Sequence, residues 1–367
     1  VSVSDAPLIN AAVYADAERR LARMLGTSRD LLLLQGEAIL VLEATARGLG
    51  GPGVRALNLV SGPYGTVIGQ WLAVGGAEVT DLAVPFDRAI DAAAVRSALA
   101  DGKFDVVSIV HAEAATGVVN PLAEITNAAH EAGALVLVDA VASVGAEPLP
   151  IDELELDLVM IGPQKGPAGP NGVCALIASE RAWTMIAANP AAPRESMISL
   201  LDWKERWIDA GRKRIPGYAY EYEMRALLEM LDRHQGDAGL LTVIERHARA
   251  RDGSLAGVRA LGLTPWVRDD AQAAGVATLV RVPQGITVEA LLQAALVHLD
   301  ELDSGLLGPA PGSLGEHALR INHTGEASRP ESVTAAIAAL GGGLRELVVD
   351  VDLDAAVAAA SRSLWPD

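Results

Sequence analysis

From about Arg55 to Ser179, short runs rich in Val, Leu and Ile alternate with stretches of helical periodicity. The apolar runs are RALNLV, AEVTDLAVP, DVVSIV, ALVLVDA, LDLVMIG and VCALIAS; TVIGQWLAVGG, DAAAVRSALADG and PLAEITNAAHEAG lie between them. Near-continuous apolar strands alternating with helices predict an α/β chain with a mainly parallel sheet covered on both faces. Ahead of this region YADAERRLARMLG has the spacing of an amphipathic helix, and LQGEAILVLEATARGL reads as a turn opening a second helix. Residues 180–255 are mostly helical in pattern and hold Trp183, Trp203 and Trp207. From about Gly257 a smaller α+β unit is expected: strand VATLVRVP, helix VEALLQAALVHLD, a Gly/Pro-rich stretch, strand ALRIN and helix ESVTAAIAALGG. The expected division is a large domain over 1–255 and a small C-terminal domain over 256–367, closed by helix DLDAAVAAASRSL. The N-terminal helix is expected to pack against the small domain.

Composition narrows the partners. At 367 residues, 50% hydrophobic and 21% charged, the chain can bury a large core, and wholesale disorder is excluded. The formal charge of −18 opposes phosphate backbones and anionic lipid, so neither nucleic acid nor a membrane is expected as partner. An anionic substrate must then be drawn in by a local arrangement. The single cysteine, Cys174, excludes an intrachain disulfide and a Cys-based zinc cluster, and it is read as packing. No metal-ligand spacing is present, and His234 and His247 read as surface helix residues. No apolar run reaches about 18 residues, and VSVSDAPLIN lacks the layout of a signal peptide. A soluble cytoplasmic protein is expected.

In an open parallel sheet, ligands bind beyond the carboxyl ends of the strands. After NLV come Ser61 to Gly65, with Tyr64 among them; after VSIV come His111, Ala112, Glu113 and then Thr116. After LVLV comes Asp139, with Val141 behind it, and after VMIG come Pro163, Gln164 and Lys165 in a Gly/Pro loop. Singly, each of these residues has an ordinary explanation: a cap, a solvated charge, a packed ring. Their convergence on one rim favours a site. A lysine, a buried Asp and a flat aromatic at one sheet edge are what a pyridoxal cofactor needs. The amine forms a Schiff base with the aldehyde, the carboxylate keeps the ring nitrogen protonated, and the pyridinium accepts electrons from the substrate α-carbon. The aromatic covers one face of the ring and Val141 suits the other.

The ordered set LQGEAILVLEA, SGPYG, HAEAATGVVNPL, VDAVASVG, GPQKGPAGPNG and ALRINHTG resembles the fold-type-I, class V aminotransferases of the alanine–glyoxylate group, over about Ala12 to Gly343. Within that group the segments NLVSGPYG, VPFDRAID and SERAW resemble most the branch that takes its nitrogen from pyridoxamine and gives it to pyruvate. The resemblance implies Lys165 as the Schiff-base lysine, Asp139 as the ring-nitrogen partner, Tyr64 and Val141 on the two ring faces, and Arg320 as the clamp on the acid's carboxylate. It also implies an active site at a subunit interface, in a homodimer or dimer of dimers, with residues 180–225 contributing. His111 supports the ring or is a satisfied strand-end histidine.

The phosphate cradle discriminates within the group. Ordinary members hold the cofactor phosphate at a helix N-terminus with a hydroxyl and glycine. Here the turn reads Gln35-Gly36-Glu37-Ala38, with Glu37 about where the Ser or Thr stands. A carboxylate there satisfies the same amides and repels a phosphate dianion, at a cost on the order of 4 kcal/mol per like-charge pair at about 4 Å and a dielectric near 20. The resembling branch carries Gly-Glu here too, which implies an unphosphorylated, exchangeable vitamin B6 species. That branch also has a second arginine in its small domain, where this chain reads Ser304-Gly305-Leu306-Leu307-Gly308. Four readings stay open: transamination from pyridoxamine or an amino acid to a 2-oxo acid such as pyruvate, a conventional pyridoxal-5′-phosphate-dependent amino-acid:glyoxylate or pyruvate aminotransferase, a lyase using the same lysine, and a non-catalytic binding protein.

Overall fold

The computed structural model describes residues 9–236 and 239–365. Residues 1–8, most of the stretch read as lacking a leader, lie outside the described residues. Helix α1 (Ala11–Met24) leads into β1 (Leu31–Gln35), α2 (Ala38–Leu49), β2 (Arg55–Val60) and α3 (Pro63–Gly75). Next come β3 (Glu78–Ala83), α4 (Ala92–Asp101), β4 (Val106–Val110) and a small hairpin, β5 (Ala112–Glu113) with β6 (Val118–Val119). Then follow α5 (Leu122–Glu131), β7 (Leu135–Asp139), β8 (Leu158–Ile161) and β9 (Val173–Ala178). These strands build a seven-stranded sheet in the order β1-β9-β8-β7-β4-β2-β3, with β9 antiparallel to both neighbours. β1, β4, β7, β8 and β9 are buried at every position, as expected for a sheet covered by helices. Cys174 packs within β9.

Two strands depart from the expected pattern. β3 is an edge strand whose Glu78, Thr80 and Asp81 are exposed; its interleaved polar residues keep that edge soluble. LLLLQ was not expected as a strand, because unbranched leucines favour helix; antiparallel pairing with β9 overrides that preference.

Helix α1 does not pack against the smaller sheet, contrary to expectation. It lies on β1 and α8 (Glu221–Arg233). Its buried face carries Tyr14, whose hydroxyl donates to Leu33 O at 2.8 Å, and Glu18, which accepts from Leu33 N at 3.0 Å. Glu18 also accepts from Trp207 Nε1 and from Arg212 Nε at 2.8 Å. Burial pushes the Glu18 carboxyl up, against the pull of these donors. Trp207 sits edge-on to Tyr14 with ring centroids 5.3 Å apart.

After β9 the chain is helical: α6 (Glu180–Ala188), α7 (Leu200–Trp203) with a π-helical turn at Lys204–Ile208, α8, and α9 (Leu241–Ala260). The smaller unit comprises β10 (Thr264–Pro265), β11 (Ala277–Arg281), α10 (Val288–Leu296), β12 (Leu307–Pro309), β13 (Ala318–Asn322), α11 (Pro330–Glu346) and α12 (Leu353–Leu364). Its four strands are antiparallel in the order β10-β11-β13-β12. Helix α9 runs unbroken through residues 255–256 and packs its later half against α11 and α12. His247 on this helix is fully buried, with Nδ1 2.8 Å from Val243 O; the surface position expected from its sequence is wrong because that face of α9 lies beneath Gly275.

The two sheets are tied at defined points. Asp87 accepts from Arg268 Nε at 2.7 Å and Arg281 Nη2 at 3.3 Å, and Trp266 Nε1 donates to Phe86 O at 2.8 Å. Ala274 N donates to Gly117 O at 2.8 Å, and Gly275 N to Glu147 Oε1 at 2.6 Å. These ties set β13, and Arg320 on it, against the larger sheet.

Candidate active site

The carboxyl ends of β4, β7 and β8 meet the N-termini of α2 and α3 around a cleft with about 380 Å³ of empty space, part of it open to solvent. Glu37, Tyr64, Ala112, Asp139, Val141 and Lys165 are among its lining residues. A larger cavity, between α1 and residues 144–150, holds none of these groups. Asp139 ends β7 and is 3% exposed; its Oδ1 accepts from Val141 N at 2.9 Å, which turns the chain and points Val141 into the cleft. Burial raises its carboxyl to about 6, against the lowering pull of Lys165. The Lys165 amine is held below the ordinary lysine value, chiefly by burial and against the pull of Asp139. Its Nζ lies 5.5 Å from the centre of the Tyr64 ring. A lysine depressed in this way holds more of its amine uncharged at neutral pH, the form a nucleophile needs.

The loop carrying Lys165 is fixed from behind. Gly169 N donates to Pro163 O at 2.8 Å, Arg233 Nη2 to Ala168 O at 2.8 Å, and the His234 ring lies 3.0 Å from Pro167 O. His234 is therefore a loop support at the end of α8 and only half-exposed.

At the start of α2, Gly36 takes φ 156°, its N–H donates to Gly172 O at 2.8 Å, and a Cβ there would lie 2.7 Å from Leu40 Cδ1. Glu37 is the N-cap. Its Oε2 accepts from Ile39 N at 2.8 Å and its Oε1 from Gln164 Nε2 at 3.0 Å, so the carboxylate spans from the helix to the Lys165 loop. Gln35 is tied to the exposed segment before α8: its side chain donates to Tyr218 O at 2.9 Å and accepts from Tyr220 N.

His111 follows β4, with its N–H on Asp139 O at 2.9 Å. It is 5% exposed, its Nδ1 has no partner among the described residues, and burial pushes the imidazole down to about 4. It is thus neutral at pH 7. Arg320 on β13 reaches the same site, since its charge is felt by Tyr64 and Lys165. Its Nη2 is 3.4 Å from Asn322 Oδ1, and its buried Nε has no partner among the described residues. The residues singled out in the sequence are therefore brought together on one rim, with Arg320 added from the smaller sheet.

Sequence reasoning gave no role to Glu113. It ends β5, is fully buried, and accepts from Tyr64 N at 3.1 Å and Ala115 N at 3.2 Å. Burial lifts its carboxyl to about 7. Its place in HAEAATG, two residues after His111, was the available signal.

This fold, with an amine, a buried acid and a flat ring at the strand ends, defines a fold-type-I enzyme of vitamin B6 chemistry. Residues 59–250 match the family model described as aminotransferase class-V. The chain is 34% identical over 351 residues to a pyridoxamine–pyruvate transaminase of Mesorhizobium japonicum, covering 94% of this chain and 88% of that protein. The crystal structure of pyridoxamine–pyruvate aminotransferase from Mesorhizobium loti superposes with a TM-score of 0.88 at 31% identity, covering 96% of this chain and 88% of that one. A (S)-ureidoglycine–glyoxylate transaminase of Bacillus subtilis is 27% identical over 82% of this chain and 74% of its own length. The chain belongs to the class-V aminotransferases. It is a pyridoxal-dependent transaminase, whose substrates are a small amino donor and a 2-oxo acid.

The cleft fits such a cofactor on its own chemistry. It offers a lysine of depressed basicity, a buried carboxylate and a half-buried tyrosine ring, and between its lining residues Val110 and Ala112 stands His111, whose buried Nδ1 has no partner among the described residues. Among the described residues there is no group of three or more His, Cys, Asp or Glu able to hold a metal ion, and no helix is long and apolar enough to cross a membrane.

Proposed function

We propose that this transaminase moves an amino group from unphosphorylated pyridoxamine to a 2-oxo acid such as pyruvate. The observation that carries the reading is Glu37. It occupies the N-cap of α2 and spends one oxygen on Ile39 N and the other on Gln164. A phosphate dianion placed there would meet a like charge and lose an amide already taken, whereas a neutral hydroxymethyl group can donate to the same carboxylate. The likeness to pyridoxamine–pyruvate transaminase over nearly the whole chain supports it.

When bound, the B6 group supplies a carbonyl for the amine and a pyridine ring that takes up electrons from the substrate carbon. Lys165, whose amine burial holds below the ordinary lysine value, would serve as the nucleophile and would carry the proton between the two carbon atoms that exchange nitrogen. Asp139 would hold a proton at the ring nitrogen: burial lifts its carboxyl to about 6, and a cationic partner would favour its ionised form. Tyr64 and Val141 would bound the two ring faces, and His111, whose buried Nδ1 has no partner among the described residues, would support the ring. Arg320, with Asn322 orienting it, draws in the carboxylate of the 2-oxo acid against the repulsion of an overall charge of −18.

A homodimer belongs to the same proposal. Tyr218, Tyr220 and Tyr222 are exposed beside Gln35 and the head of α2, where a second copy would close the site. A cytoplasmic setting suits a single buried thiol. The experiment is to mix the purified protein with pyridoxamine and pyruvate and follow pyridoxal by its visible absorbance. Pyridoxal with matching alanine is the expected result; no pyridoxal, with phosphorylated cofactor copurifying tightly, rejects the reading.

A further inference from the structure

The N-terminus of α3 has no cap of its own. Gly62 at the N-cap has no side chain and Pro63 at the first helical position has no N–H, so Tyr64 is the first amide there that needs an acceptor. The acceptor comes from another element. Glu113 at the end of β5 places Oε2 3.1 Å from Tyr64 N, while its Oε1 is held 3.2 Å from Ala115 N. A carboxylate at this end of a helix also meets the positive end of the helix dipole. The fit is close: a Cβ on Gly62 would lie 2.2 Å from Glu113 Cγ and 2.6 Å from its Oε2. The Gly62 backbone is extended, at φ 179°, so the carboxylate, and not the backbone, keeps this position free of a side chain.

We propose that Glu113 is a positioning residue for the transamination, a cap donated by β5 that fixes the first turn of α3 and so holds the Tyr64 ring beside Lys165. The proposal takes the role given to Tyr64 above but not the choice of amino donor. A carboxylate is fully buried here at the cost of its own ionisation, with Asp139 opposing its charge and Lys165 favouring it. Two backbone N–H groups, one on α3 and one in the turn that follows β5, are what it holds in return.

Three variants test this: Glu113→Gln, Glu113→Ala, and Glu113→Ala combined with Gly62→Ser. The serine sits at the N-cap, where its hydroxyl can accept from the Tyr64 amide, and the atoms it would strike in the parent are gone. Two quantities are read: hydrogen exchange at the Tyr64 amide in protein freed of B6, and the dissociation constant of pyridoxal, with KM for each substrate alongside. In Glu113→Ala, exchange at Tyr64 and the pyridoxal dissociation constant should each rise about tenfold, as for loss of a strong cap. KM for pyridoxamine should rise while KM for pyruvate holds. The double variant should recover most of both losses. Unchanged exchange and affinity in Glu113→Ala would overturn the proposal, as would a double variant that regains amide protection without regaining pyridoxal affinity. Should Glu113→Ala fail to fold, Glu113→Gln keeps the test open. Its one carbonyl oxygen replaces two carboxylate oxygens, so either Tyr64 N or Ala115 N loses its acceptor, and parental exchange at both amides in that variant would also overturn the proposal. Inactivity with pyridoxamine in the parent would leave the exchange result standing, and so separates the two readings.

Discussion

Lys165 and Asp139 were legible because each follows a recognisable strand, and strand order put them on one rim; Glu37 was legible only through the resemblance of the turn that opens α2. What spacing cannot give is electrostatics. The depressed amine of Lys165 and the raised carboxyls of Asp139 and Glu113 arise from burial, which depends on the whole surround. Glu37→Thr should therefore improve binding of pyridoxal 5′-phosphate relative to pyridoxal by about tenfold or more, since one like charge worth up to ~4 kcal/mol is removed. Titrating both aldehydes into the apoprotein by absorbance checks it, and an unchanged ratio contradicts the role given to Glu37. Arg320→Lys should raise KM for the 2-oxo acid about 10- to 100-fold with little change for pyridoxamine, the equivalent of losing a charged hydrogen bond of ~1.5–3 kcal/mol. Equal effects on both substrates in steady-state kinetics would mean that Arg320 does not clamp the acid.

At the scale of elements, helices with clear caps were the most readable. Helix α4 begins at Asp91 and α6 at Ser179, each accepting from a first-turn amide. Strand β1 and the packing of α1 were not readable, because both depend on partners more than a hundred residues away in the chain. β1 pairs with β9, and Glu18 on α1 meets Trp207 and Arg212. That cluster gives a direct prediction. Glu18→Ala leaves Leu33 N, Trp207 Nε1 and Arg212 without their shared acceptor and should destabilise the protein by about 3–5 kcal/mol, the usual consequence of breaking a buried ion pair. Urea denaturation measures it; a loss below about 1 kcal/mol, the level of a surface pair, would show that the cluster contributes little.

Across the whole molecule, buried acids and buried histidines oppose each other as pH changes. Glu147 at the junction of the two sheets is lifted by burial to about 7, so the folded state binds its proton more tightly than the unfolded chain does. Its ionisation therefore costs stability as pH rises from the ordinary carboxylate value through about 7. His247 and His323, pushed down to about 4 and about 3, work the other way: stability is lost as pH falls below the ordinary histidine value toward these. Glu147→Gln keeps an oxygen for Gly275 N and removes the acid. Relative to the parent, it should gain stability steadily between about pH 4.5 and 7, at up to ~1.4 kcal/mol per pH unit. Parallel melting curves of the two proteins across that range would contradict the burial argument. This junction was invisible in the sequence, where Glu147 and His247 lie in unremarkable stretches, although the alternation of strands and helices had shown six of the seven strands of the larger sheet and two of the four strands of the smaller one.

The central claim is that Lys165 is the amine that engages an unphosphorylated B6 aldehyde. Borohydride reduction of the purified protein with pyridoxal, followed by peptide mass spectrometry, tests it most directly. The account predicts one pyridoxyl group, without phosphate, on the peptide containing Lys165, and none in Lys165→Ala. A phosphopyridoxyl group there, or labelling that persists unchanged in Lys165→Ala, would contradict it.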